Sequence, residues 1–98
     1  MKIFLDLSVS KVSRVLLLDG EMVVEELMGD SPLPLIDKVL RKNDLRLQDL
    51  EEVDSLPGPG SFTGLKIGAT IANILNWQLG NEKTVKPVYE TKDTERAD

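Results

Sequence analysis

Apolar residues fill most of 2–8 (Lys-Ile-Phe-Leu-Asp-Leu-Ser) and crowd together over 14–19 (Arg-Val-Leu-Leu-Leu-Asp), so both segments predict strands. The second is apolar on both faces. Asp19-Gly20 is a tight-hairpin signal leading into a third strand over 21–27 (Glu-Met-Val-Val-Glu-Glu-Leu). The period then changes. Ser31-Pro32 reads as a helix cap followed by proline at the first helical position, and Leu35, Ile36, Val39 and Leu40 recur at helical spacing up to the exit residue Asn43. Pro34 falls within the first turn, where its missing amide costs little. Residues 45–50 predict a connecting turn, and 53–56 a short strand that stops at Pro57. A second helix is expected from about Thr63 to about Leu79, with Gly80-Asn81 as its stop. Residues 84–89 predict a last strand, placed near an edge by Pro87. Residues 90–98 have no apolar pattern and predict a mobile tail.

The resulting order is β-β-β-α-β-α-β. With both α-crossovers right-handed, the helices lie side by side on one face of a mixed five-stranded sheet. This is an α/β arrangement of the ribonuclease-H-like kind, the lobe on which actin, hexokinase and chaperone ATPases are built. Val15, Leu16, Leu17, Leu18, Met22, Val23 and Val24 imply that both sheet faces want cover, so some apolar sheet surface is expected to stay open or to be covered by another chain.

Composition narrows the chemistry. At 98 residues and 41% hydrophobic, the chain supports one domain, expected over 1–89. No run of about 18 apolar residues exists to span a membrane. Asp6 follows the start too closely for a signal-peptide apolar region, so the first residues are expected to be mature structure. The absence of cysteine removes disulfides and thiolate metal sites and is compatible with the cytosol; the absence of histidine removes the commonest general base and metal ligand. Seventeen acids against twelve bases give a net charge of −5. Lys38, Arg41 and Arg46 alternate with Asp37, Asp44 and Asp49, so no basic stripe offers nucleic acid a direct footing.

The densest signal is Gly58-Pro59-Gly60-Ser61-Phe62-Thr63-Gly64-Leu65-Lys66-Ile67-Gly68. Glycines suit backbone that turns through positive φ or passes close to a neighbour, and Ser61 and Thr63 can cap the following helix. The spacing fails the Walker pattern, because the fifth position after Gly58 is Thr63 and after Gly60 is Leu65. It also fails the dinucleotide fingerprint, whose third glycine is wanted at 63. Weak anion affinity at a helix start stays possible on this pattern. Gly64, Gly68, Ala72 and Asn76 share one helical stripe that would let a neighbour come close, either a foreign helix or the domain's own elements. Spacing alone does not choose. Asp6 and Ser8 sit where nucleotide-binding relatives of such a fold place a metal-binding acid and a phosphate turn, but no glycine follows, and one carboxylate makes a poor metal site. No nucleophile–base constellation is visible, so neither catalytic residues, metal ligands nor a cofactor site are expected.

The 58–68 string closely resembles the signature of the TsaB (YeaZ) family. Ile3-to-Ser8 is similar to that family's opening Ile-x-x-Asp-Thr-Ser strand. Leu33-Pro34-Leu35-Ile36-Asp37-Lys38-Val39-Leu40 is similar to its first helix, and Leu47-x-Asp49-Leu50-Glu51-x-Val53 to the approach to its fourth strand. The resemblance implies a non-catalytic subunit in biosynthesis of threonylcarbamoyladenosine at position 37 of tRNA, cytoplasmic and touching tRNA only indirectly. It implies pairing with a TsaD-like transferase, with a TsaE-like ATPase joining the pair. The implied interface is the outward face of the two helices, at Leu33, Ile36, Leu40, Gly64, Leu65, Gly68, Ile71, Ala72 and Leu75, beside a signature loop of Gly58, Gly60, Ser61 and Thr63. Leu7 departs from the family's usual threonine, the polar stretch before the first helix is shortened to Gly29-Asp30-Ser31-Pro32, and these 98 residues are expected to hold the first lobe without the second. Two other readings stand beside this one: a small ATP-binding protein using Asp6 or Ser61, and a self-associating module using the same helix face.

Overall fold

The computed structural model describes residues 1–87. Four strands form one mixed sheet: β1 (Lys2–Asp6), β2 (Ser13–Asp19), β3 (Met22–Gly29) and β4 (Glu52–Ser55), in the order β3-β2-β1-β4. β2 is antiparallel to both β1 and β3, whereas β4 runs parallel to β1. Two helices, α1 (Pro32–Lys42) and α2 (Phe62–Gln78), supply the crossovers, with a 3-10 turn at Leu47–Asp49. α1 lies over β2 and β3, α2 over β4 and β1.

Period-two alternation places Ile3, Leu5, Val15, Leu17 and Val53 on the helix side, where all are fully buried. Ile36, Val39 and Leu40 of α1 and Leu65, Ala69 and Ala72 of α2 close on them. Burial of each large aliphatic side chain contributes about 1.5–3 kcal/mol, and this cluster is the core.

The local signals act as their chemistry requires. Gly20 takes φ +64° in the β2–β3 turn. β1 stops at Asp6 because that carboxylate accepts hydrogen bonds from both the backbone amide (3.0 Å) and the hydroxyl (2.6 Å) of Ser8, pulling the chain out of the ladder. Ser31 has the extended backbone of a cap (φ −136°, ψ 135°), yet its side chain makes no capping bond. Pro34, three residues on, has no amide to offer it. At the far end, Asn43 donates to the Val39 carbonyl (2.8 Å) and to Glu25 of β3 (2.9 Å), tying the helix exit to the sheet.

The expected fifth strand is a correction. Residues 84–87 carry no strand, and 88–89 lie outside the described residues, as does the expected tail. Two asparagines of α2 explain the difference. Asn73 accepts from the Val85 amide (2.7 Å) and donates to the Val85 carbonyl (3.0 Å), so this backbone is already paired. Asn76, fully buried, does the same to Val53 of β4 (2.7 Å for each bond). Because Leu56 donates to Leu5, alternation turns the polar groups of Val53 away from β1, toward the edge a fifth strand would use. The side chain of Asn76 holds that edge.

The sheet face opposite the helices has an apolar centre of Phe4, Leu16 and Leu18, all half-buried, with Val23 and Met28 exposed beside it. Ion pairs flank it: Lys2 with Glu52 (3.4 Å), and Arg14 with Asp6 (3.3 Å) and Glu26 (2.6 Å).

Two carboxylates tie elements together and titrate low. For Asp6, burial raises the pKa, but the Ser8 hydroxyl and amide and the Arg14 guanidinium outweigh it and hold the group below its ordinary 3.8. For Glu25, hydrogen bonds from Lys42 and Asn43 lower it below 4.5. Both are depressed in the folded state, so their stabilisation is complete above the ordinary values and is lost as pH falls through the lower folded ones. Urea midpoints should therefore drop between neutral pH and pH about 3, and an Asp6→Asn, Glu25→Gln variant should show a smaller drop.

Candidate functional site

The glycine-rich segment begins where the β4 ladder ends, at the Leu56–Leu5 hydrogen bond. The Gly58–Pro59 peptide is cis, and Gly58 and Gly60 take φ +141° and +153°. A Cβ on Gly60 would stand 2.5 Å from the Ser8 Cβ and 2.6 Å from its carbonyl oxygen. The Ser61 amide donates to that same carbonyl at 2.6 Å. Ser61 then caps α2, its hydroxyl accepting from the Gly64 amide at 3.3 Å. A Cβ on Gly64 would fall 1.9 Å from the Leu7 carbonyl oxygen. The close neighbour for which these glycines make room is the chain's own Leu7–Ser8 segment, just past the end of β1.

The same holds farther along α2. A Cβ on Gly68 would sit 2.4 Å from the Ser55 hydroxyl, which is buried and has no hydrogen-bond partner among the described residues. Ala72 and Asn76 follow on this stripe, fully buried against β4. The small-residue stripe is thus an internal packing surface. Leu65, Gly68, Ala72, Ile36 and Leu40, expected at a partner interface, are all buried in the chain's own core, and Gly64 is shut against Leu7. Leu33 is exposed, Ile71 and Leu75 are half-buried, and Thr63 lies open at the helix start.

α2 nevertheless has a second apolar face. Ile67, Ile71 and Ile74, spaced four and three apart, run along the side away from the sheet. Ile67 is 44% exposed, Ile74 53% and Trp77 79%, while Leu33 on α1 is 57% exposed. A helix apolar on both sides is one that expects cover on both. The sequence contained a signal for the assignment of faces. Asn73 and Asn76 in an apolar helix need hydrogen-bond partners, and the N–H and C=O of a neighbouring backbone residue supply both.

Asp6 is committed within the structure: Oδ1 to Ser8 and Oδ2 to Arg14, whose Nε also donates to Glu26 at 2.8 Å. Among the described residues no three Asp, Glu, His or Cys side chains gather as a metal site, and no helix is long and apolar enough to cross a membrane.

The internal role of Gly68 is testable by a double-mutant cycle. Gly68→Ala alone should cost about 1–3 kcal/mol by overpacking. In a Ser55→Ala background the obstructing oxygen is gone, and the alanine's better helix propensity should turn the substitution neutral or stabilising. Chemical denaturation of the four proteins reads the coupling.

Residues 30–88 match the family model described as TsaD: tRNA N6-adenosine threonylcarbamoyltransferase. The chain is 38% identical over 89 residues to the tRNA threonylcarbamoyladenosine biosynthesis protein TsaB of Haemophilus influenzae, covering 86% of this chain and 37% of that one. It is 40% identical over 47 residues to TsaB of Bacillus subtilis, covering 48% and 20%. The solved structure of YeaZ from Pseudomonas aeruginosa superposes with a TM-score of 0.71 at 23% identity, over 91% of this chain and 44% of that one. A second structure, of an uncharacterized protein with similarity to peptidase YEAZ from Pseudomonas aeruginosa, gives the same score at 22% identity, over 97% and 47%. The chain spans less than half the length of each of these relatives. With a family model matched over residues 30–88 and relatives named TsaB, the chain belongs to the TsaB (YeaZ) family.

Proposed function

We propose that this chain supports threonylcarbamoyladenosine modification of tRNA as a non-catalytic subunit, docking a TsaD-like transferase on the outer face of its two helices. The observation that carries this reading is the exposed Ile67 and Ile74 on one side of α2, with half-buried Ile71 between them, Trp77 exposed on the same helix and Leu33 exposed on α1. Isolated exposed apolar residues are ordinary, whereas an aligned helical stripe with an exposed tryptophan has the make-up of an interface core. The docking surface is therefore placed on these residues, with Ile71 and Leu75 at its inner margin. The internal glycines act indirectly, by seating α2 so that Ile67 and Ile74 face out.

A non-catalytic role agrees with the side chains present. The chain has neither histidine nor cysteine, and both oxygens of Asp6, the acid a nucleotide-binding reading would assign to metal, already have protein partners. The sheet order and parallel β1–β4 pair agree with a ribonuclease-H-like lobe, and a TsaE-like ATPase is the further partner the family relationship suggests.

Co-elution with a TsaD-like transferase tests the docking surface. Ile67→Glu with Ile74→Glu should weaken the complex by at least about 30-fold, the loss of a central hot spot, while the far-ultraviolet spectrum and urea midpoint stay near those of the parent chain. Undiminished co-elution would defeat the assignment. Light scattering without the partner decides whether the same face makes a homodimer, and only a homodimer that persists when the transferase is added would replace this reading.

A further inference from the structure

We infer that the chain binds a small organic monoanion, a carboxylate carried on a short apolar body, in the cavity between the β1–β2 turn and the start of α2. It shares Ile67 with the docking surface but does not depend on that reading. The cavity holds about 380 Å³, within the range of small-molecule sites. Its walls are mainly apolar, with Leu7 at the base and Ile67 along one side.

One buried polar group marks the site. Ser13 lines the cavity, is only 4% exposed, and its hydroxyl has no hydrogen-bond partner among the described residues. It alternates with the inward-facing Val15 and Leu17 and so points to the helix side of the sheet, where the cavity lies. With no partner among the described residues, this oxygen is left to whatever occupies the cavity it lines, and a ligand oxygen can take the place of water there.

The charges select the ligand class. α2 brings its N-terminus to the cavity with no acidic residue in its first turn, and Thr63 keeps its amide and hydroxyl unpaired there among the described residues. A helix start of this length carries roughly half a positive charge. Lys11, on the opposite rim and without an ion-pair partner among the described residues, adds a full one, and Asp30 subtracts one. The balance favours a single negative charge over a phosphate dianion, and the apolar walls favour a hydrocarbon body behind it.

Acetate, butyrate, hexanoate and inorganic phosphate are the probes, titrated into the 15N-labelled chain. Hexanoate should give saturable amide shifts at Lys11, Ser13, Thr63 and Gly64, with affinity rising from acetate by up to about fourfold per added methylene. Lys11→Met and Ser13→Ala should each weaken hexanoate by about threefold or more. Lys11 is exposed, so Lys11→Met keeps the test sound should Ser13→Ala unfold the chain. Shifts that stay linear to about 50 mM hexanoate, that centre on other residues, or that survive Lys11→Met unchanged would overturn the site. Phosphate binding as tightly as hexanoate would overturn the monoanion class.

Discussion

α2 lies on the sheet at a separation that leaves no room for side chains at two of its positions, and most of the architecture follows from that fit. At its first turn the helix meets the Leu7 carbonyl, one turn later the Ser55 hydroxyl, and near its end it reaches Val53 through the amide of Asn76. Residues of zero or one side-chain carbon at 64, 68 and 72 make this approach possible. The buried Asn76 fixes its register, because an amide that must satisfy both an N–H and a C=O of one residue tolerates little sliding. The loop before the helix follows the same constraint, since Gly60 and Ser61 lie directly on Ser8.

Seating the helix this way decides what the molecule shows to its surroundings. With the small side chains inward, Ile67, Ile74 and Trp77 face out and Ile71 is left half-buried at the margin. The opposite sheet face keeps a half-buried Phe4-Leu16-Leu18 centre between ion pairs. A chain of this size buries a limited share of its apolar surface, and one packed layer of helices uses up only one side of the sheet. Asn76 and Asn73 also take hydrogen-bonding capacity that a further strand would have used, which leaves four strands in the sheet among the described residues.

Much of the fold was legible without coordinates. Apolar runs marked β1 and β2, Asp19-Gly20 marked the hairpin, and helical spacing marked α1 and α2, because each depends on the geometry of a few neighbouring residues. The candidate site was legible only in part. The Gly-Ser-x-Thr-Gly segment announced close approach and a capped helix, and both are present. What approaches it was not written locally. Leu65, Gly68 and Ala72 belong to the chain's own core although the resemblance placed them at a partner interface, and Ser13 drew no notice because a lone serine has no pattern.

The chain's own order of residues therefore determined which segments are helix, strand and turn, and which stretch of backbone must be crowded. Asn73 and Asn76 mark the inward side of α2 in the sequence, but the tertiary structure was needed to show that this side packs on the chain's own sheet. Both faces are apolar, so hydrophobicity does not separate them; steric fit does, since the Leu7 carbonyl and the Ser55 hydroxyl admit hydrogen atoms where they would exclude isoleucine. The fate of 84–87 was settled the same way, by a side-chain amide twelve residues away that satisfies Val85 before any strand can.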